Sequence, residues 1–184
     1  MINNADAWRI LDEADLIYTA AEVQAAITSL AHDISARFKD TSPLVLSVMG
    51  GAVVFSGQIL PRLHFPLDFD YIHATRYGKN RRGGELEWLV EPREPVAGRK
   101  VLLLDDILDE GHTLASIRSR LLEMGAAEVS CAVLTEKHTG QDKPIRADFV
   151  GLVLPNRYVF GCGMDVDGAW RNLPAIYAMQ DEPT

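Results

Sequence analysis

Apolar positions along the chain follow two periods, and each period predicts a different kind of element. Val23, Ile27, Leu30, Ile34 and Phe38 recur at spacings of three and four, which predicts an amphipathic helix over about residues 19–39. Thr19 and Glu22 mark its start, a hydroxyl and a carboxylate spaced to satisfy the orphan donors of a first turn. PLVLSVM (43–49) is short, apolar and closed by Gly50-Gly51, so it predicts a buried strand and a tight turn. AVVFSGQILPRL (52–63) predicts a helix that Pro61 perturbs near its end. In LDFDYIHAT (67–75) Leu67, Phe69 and Tyr71 alternate, and alternation returns in ELEWLV (85–90), so both predict strands. The glycine-rich RYGKNRRGG (76–84) between them predicts a long excursion.

Further along, Val101–Leu104 predicts an all-aliphatic strand, and a helix is expected from Thr113 to Met124 with Gly125 at its C-terminal cap. EVSCAVLT (128–135) and FVGLVL (149–154) supply two more strands. Strands that alternate with helices, several of them uniformly aliphatic, predict an α/β fold: a largely parallel sheet covered by helices on both faces. No internal repeat, linker or low-complexity tract divides the 184 residues, so one domain is expected.

Charge narrows the partners. With 18 basic and 26 acidic residues the formal net charge is −8, the reverse of a generic nucleic-acid binder. The one basic cluster, Lys79, Arg81 and Arg82, lies among glycines and reads as a loop. Two cysteines, Cys131 and Cys162, suggest reduced thiols in or near the core, not a disulfide framework. No apolar run approaches the ~20 residues needed to cross a bilayer, and MINNADAWRI lacks the blocks of a secretory signal. These features predict a soluble, cytoplasmic protein.

One stretch resists a packing explanation. In VLLLDDILDEGHTL (101–114) four aliphatic residues run directly into Asp105, Asp106, Asp109 and Glu110, and a glycine turn and a helix start follow. Like charges this close repel, so a cation or a hydroxyl-rich ligand is expected beside them. The carboxylates would stand at the carboxyl end of a parallel strand, where ligands of open α/β sheets collect. Backbone N–H groups from about Asp109 to Thr113 would make an anion site, for which phosphate is the commonest guest. A phosphorylated sugar matches both halves. The segment is not a Walker A loop, because its spacing and lysine are absent.

On these residues the chain resembles the type I phosphoribosyltransferases, whose phosphoribosyl-pyrophosphate (PRPP) signature VLLLDDILDEGHTL is similar to. VMGGAVVF, ATRYG, LTEK and YVFGCGMDVDGAWRNLP follow in the order of the hypoxanthine-guanine branch. The resemblance spans about 45–175. It implies a small hood built from the N-terminal segment and about 155–184. It implies PRPP and a 6-oxopurine as substrates, Mg²⁺ as cofactor, and a homodimer or homotetramer. By position, Asp105 and Asp106 would engage the ribose hydroxyls and a Mg²⁺, and Asp109 would be the acid/base near purine N7. Glu110, Gly111, His112 and Thr113 would form the 5′-phosphate loop, although Glu110 replaces the family's usual threonine and is expected to point outward. Met49, Gly50 and Gly51 would meet pyrophosphate, through a turn that is a cis peptide in many relatives, and Arg171 would reach the same group. Some relatives carry lysine or arginine at the place of Met49. Thr75, Arg76, Tyr77 and Gly78 resemble the start of a loop that closes over the site. Lys137 would donate to the purine 6-oxo group, Tyr158 would stack on the base with Ile107 opposite, and the Val159 backbone would meet the base edge. Asp165 would hold a second Mg²⁺ on pyrophosphate.

Three other readings stand beside this one. A related transferase could prefer xanthine with guanine; a regulator could keep the fold and bind RNA or protein; a receiver-like domain could be phosphorylated on Asp105 or Asp106. His32, His64, His73 and His138 show no ligand spacing and are assigned no metal. Trp8, Trp88 and Trp170 are expected in cores or subunit contacts.

Overall fold

In a computed structural model that describes residues 2–76 and 86–180, a six-stranded sheet organises the chain. Its strands are β2 (Leu44–Met49), β3 (Asp68–Arg76), β4 (Leu86–Val90), β5 (Lys100–Leu108), β6 (Glu128–Lys137) and β7 (Phe149–Leu154), in the spatial order β4-β3-β2-β5-β6-β7. All neighbours are parallel except β3 and β4, which pair antiparallel at one edge. Helices α2 (Ala20–Phe38) and α3 (Val53–Ile59) cover one face, and α4 (His112–Glu123) covers the other. The expected α/β architecture is therefore present.

Burial on both faces explains the aliphatic strands. Leu102 and Leu104 join the cluster under α2 and α3, whereas Val101 and Leu103 join the cluster under α4. The two helix faces are equally explicit. Val23, Ile27, Leu30, Ile34 and Phe38 of α2 are all buried, each large side chain contributing about 1.5–3 kcal/mol. The expected capping box forms: Thr19 Oγ1 accepts from the Glu22 N–H, and Glu22 Oε2 accepts from the Thr19 N–H at 2.8 Å. At the end of α4, Gly125 takes a positive φ, and the Gly125 and Ala126 N–H groups donate back to the Leu122 and Leu121 carbonyls. Pro61 acts as expected, since α3 gives way to a single 3₁₀ turn over Leu60–Arg62.

Several boundaries differ from the pattern-based reading. β5 does not stop at Leu104 but continues to Leu108, because its ladder with β6 stays in register as far as Leu108↔Glu136. The acidic pair therefore lies inside the strand. β6 likewise runs on to Lys137, and α4 begins at His112, one residue before the expected Thr113. On β3 the period is right, but Phe69 is exposed, while Asp70 and Ile72 are buried. Asp70 accepts from the Tyr71, Arg93 and Glu94 N–H groups and so ties the segment after β4 to the sheet.

The chain ends add elements that periodicity did not reveal. α1 (Asn4–Glu13) and β1 (Asp15–Tyr18) precede α2, and β8 (Val159–Phe160) and β9 (Ile176–Ala178) follow the main sheet. β1, β9 and β8 form a three-stranded antiparallel sheet, the hood that the resemblance implied. Val159, Cys162, Met164, Ile176 and Ala178 pack into the α2 cluster. Trp8 of α1 meets Trp170 edge-on at 4.9 Å, and the Trp170 Nε1–H donates to the Ala7 carbonyl at 2.8 Å. Among the described residues, no helix is long and apolar enough to cross a membrane.

Cys131 and Cys162 are buried and unpaired, as expected. Burial pushes the Cys131 thiol up to about 12 and the Cys162 thiol up to about 11. Neither forms thiolate near neutrality, so the folded protein should resist alkylation by iodoacetamide at about pH 8 and react at both sites only in denaturant. Rapid labelling of the folded protein, read by intact mass, would contradict this packing.

Candidate active site

Asp105 and Asp106 sit side by side near the carboxyl end of the central strand β5, each only 8% exposed. The Asp106 N–H donates to Asp105 Oδ1 at 3.0 Å, and the Ile107 N–H donates to Asp106 Oδ1 at 2.9 Å. The Thr135 hydroxyl of β6 holds the Asp106 carbonyl at 2.8 Å. Burial pushes the Asp105 carboxyl well above the usual range, and the neighbouring Asp106 charge adds to the effect. Burial also raises Asp106, against the opposing influences of its hydrogen bonds and of Arg171.

Backbone closes around this pair. A Cβ on Gly51 would lie 2.1 Å from Asp106 Oδ2, so no side chain fits at that turn. A Cβ on Gly163 would lie 2.2 Å from the Gly51 carbonyl oxygen and 3.3 Å from Asp106 Cβ. The Met49–Gly50 peptide bond is cis, as the resemblance led one to expect. Gly163 was not singled out from the sequence, although the glycine spacing in YVFGCGMDVDG carried the signal.

At the end of β5 the chain turns through Gly111, which adopts φ +83° and begins α4. Among the described residues no side chain caps that helix start, so its first N–H groups keep their hydrogen-bonding capacity for a ligand. Glu110 and His112 are both exposed. Asp109 is paired: Lys137 Nζ donates to its Oδ2 at 2.7 Å, with the lysine side chain 12% exposed. Asp165 Oδ1 forms an ion pair with Arg171 at 2.5 Å, and Asp165 Oδ2 accepts from the Gly168 N–H at 2.7 Å. Arg171 also donates to the Gly163 carbonyl at 2.6 Å.

These groups share one cavity of about 770 Å³. Its lining includes Met49, Gly51, Asp105 and Asp106, together with Asp109 to Thr113. Ile107, Lys137, Tyr158, Val159, Asp165 and Arg171 also line it. Gly50 is not part of the lining. Thr75 and Arg76 end β3, and Tyr77, Gly78, Lys79, Arg81 and Arg82 lie outside the described residues. Asn156 and Met164 also line the cavity and were missed; both sit in the stretch around Tyr158, without a pattern of their own. The arrangement can hold an anion at the helix start and hydroxyls or a cation at the carboxylates.

Known proteins share this sequence pattern and this fold. Residues 13–167 match the phosphoribosyl transferase domain family. The hypoxanthine-guanine-xanthine phosphoribosyltransferase of Tritrichomonas foetus is 31% identical, over 90% of this chain and 91% of that protein. A bifunctional TilS/HprT protein of Listeria innocua is 32% identical over 93% of this chain, which spans only 26% of that relative's length. A solved hypoxanthine phosphoribosyltransferase of Trypanosoma cruzi, a mutant in a ternary substrates complex, superposes with a TM-score of 0.85 at 28% identity. That match covers 93% of this chain and 98% of the other.

Because folding favours the protonated form of Asp105 and Asp106, stability is lost as pH rises through their raised values. Asp105→Asn removes one charge and keeps an acceptor for the Asp106 N–H. The ligand-free variant should therefore melt above the parent at about pH 8, a gain of about 1 kcal/mol appearing as about 2–4 °C. The difference should fade below about pH 4, where carboxyls are protonated in both states. Calorimetry showing a lower melting temperature at the higher pH would contradict the burial cost. With that carboxylate pair, the uncapped helix start and the match over residues 13–167, the chain belongs to the phosphoribosyltransferase family and is similar to its hypoxanthine-guanine members.

Proposed function

We propose that the protein serves purine salvage, transferring the 5-phosphoribosyl group from PRPP to hypoxanthine or guanine and releasing pyrophosphate and the nucleoside 5′-monophosphate. The observation that supports this reading is the shared cavity: groups suited to a sugar phosphate and groups suited to a purine line one space of about 770 Å³. N–H groups of Glu110 to Thr113 receive the 5′-phosphate, and Asp105 and Asp106 accept from the ribose hydroxyls. The turn at Met49–Gly51 and Arg171 receive the pyrophosphate. Purine N9 attacks the anomeric carbon as the bond to pyrophosphate breaks, and Asp109 takes the proton that leaves N7. Positive charge developing on the ribose ring lies beside the buried carboxylates, which favour it.

Lys137 selects the base. An ammonium donates three hydrogen bonds and accepts none, so it can serve a 6-oxo oxygen while staying bonded to Asp109. The 6-amino group of adenine would present donor to donor. Tyr158 and Ile107 bracket the ring, and the Val159 backbone meets its edge.

Mg²⁺ belongs to the proposal. Two adjacent buried carboxylates whose ionisation is disfavoured suit a hard dication, which would remove that cost. Asp105 and Asp106 would hold it, and Asp165, released from Arg171, would hold a second. Bound there, such a cation would supply charge neutralisation for the departing pyrophosphate. The proposal also includes a cytoplasmic setting, supported by two unpaired thiols, and self-assembly, supported by the exposed Val53, Phe69 and Leu89.

Hypoxanthine, guanine, xanthine and adenine assayed in parallel with PRPP and Mg²⁺ test the reading. Hypoxanthine and guanine should turn over, and adenine should be slower by about 10³-fold or more in kcat/KM. Xanthine is the informative third base, given the name of the Tritrichomonas foetus relative. Comparable rates with adenine, or no turnover with any 6-oxopurine, would refute the assignment.

A further inference from the structure

Lys143 has no role in the reaction outlined above, yet its side chain is only 10% exposed. Its ammonium carries three donors, and each is engaged. It donates to the Leu108 carbonyl at 3.1 Å, to the Lys137 carbonyl at 2.7 Å and to Glu136 Oε1 at 3.1 Å. The two carbonyls belong to the last residues of β5 and β6. The ladder between these strands ends at Leu108↔Glu136, so beyond it no sheet hydrogen bond sets their spacing. Asp109 is the next residue after Leu108, and its partner Lys137 is held by its own carbonyl.

The position of Lys143 also reaches the turn that starts α4. A Cβ built on Gly111 would lie 3.5 Å from Lys143 Cβ, so the lysine stem packs under that turn. One cation thus ties together three parts of the site: the strand end bearing Asp109, the strand end bearing Lys137, and the floor beneath the helix start. A lysine needed only for a surface ion pair would answer to Glu136 alone and would not spend two donors on carbonyls flanking the base-reading pair.

We propose that Lys143 is a positioning residue for the purine half of the site, clamping the ends of β5 and β6 so that Asp109 and Lys137 stay 2.7 Å apart. This inference rests on the phosphoribosyl-transfer reading above. Loosening the clamp displaces both groups that touch the base and leaves Asp105 and Asp106, held within the β5–β6 ladder, where they are. The loss should therefore fall on the base and not on PRPP.

Lys143→Met keeps the length of the stem and removes all three donors. Its kcat/KM for hypoxanthine should fall about 100-fold, through both a raised KM for the base and a lowered kcat, as expected for about 1 Å of misplacement. KM for PRPP should stay within about twofold. Glu136→Gln spares both carbonyl bonds and should stay within about threefold of the parent in every parameter. Lys143→Cys followed by aminoethylation rebuilds the ammonium, and with Cys131 and Cys162 buried it should recover most of the lost base-side activity. Should Lys143→Met not fold, Lys143→Gln is read in its place for the same split. A folded variant with unchanged kinetics, or with equal losses for base and PRPP, overturns the inference while leaving the transfer reaction standing. Absence of turnover in the unmodified protein overturns both.

Discussion

Two carboxylates share a buried site at the end of the central strand, and most of the surrounding structure can be understood from what that costs. Asp105 and Asp106 are each 8% exposed, with their ionisation opposed by burial and, for Asp105, by its neighbour. Evolution of a core for stability alone would replace such a pair with aliphatic side chains, since isolated buried charge is several kcal/mol unfavourable. Their retention makes sense where a ligand brings compensating positive charge or hydroxyl donors. A ligand that binds the folded protein at this pair would offset the cost of burying it.

The rest of the fold holds that pair at a defined point. Register between β5 and its parallel neighbours carries the carboxylates to the edge of the cavity, and the clusters on both faces fix the strand in depth. Gly51 and Gly163 bring two stretches of backbone against Asp106 at distances no side chain permits. The hood strand β8 begins at Val159, which lines the cavity together with the preceding Tyr158. Asp109 and Lys137 then face each other because two adjacent parallel strands end side by side. Position in the sheet, and not a local sequence motif, creates that contact.

Strong periodicity made the main sheet and its helices legible. The α2 stripe, the aliphatic β5 and the capping signals at Thr19 and Gly125 each reflect a local rule, and each reappears in the structure. Boundaries near the site were less legible: Asp105 and Asp106 look like loop residues, whereas pairing with β6 keeps them in the strand. β1, β8 and β9 have only four, two and three residues, too few to show a period, and they find each other only through the fold. The site divided along similar lines. The contrast of carboxylates and turn in 101–114 was visible from residue chemistry, while Lys137 and Tyr158 were visible only through family resemblance. Lys143 escaped both, because a lysine in a polar loop looks solvated until its three acceptors are in place.

The central claim is that an anion-binding turn and a hydroxyl- or cation-binding carboxylate pair form one binding surface. A crystal structure with PRPP and Mg²⁺ bound tests it most directly. The 5′-phosphate should lie over the backbone N–H groups of residues 110–113, with the ribose hydroxyls and the cation at Asp105 and Asp106. A phosphate seated elsewhere, or a ribose out of reach of both carboxylates, would contradict it.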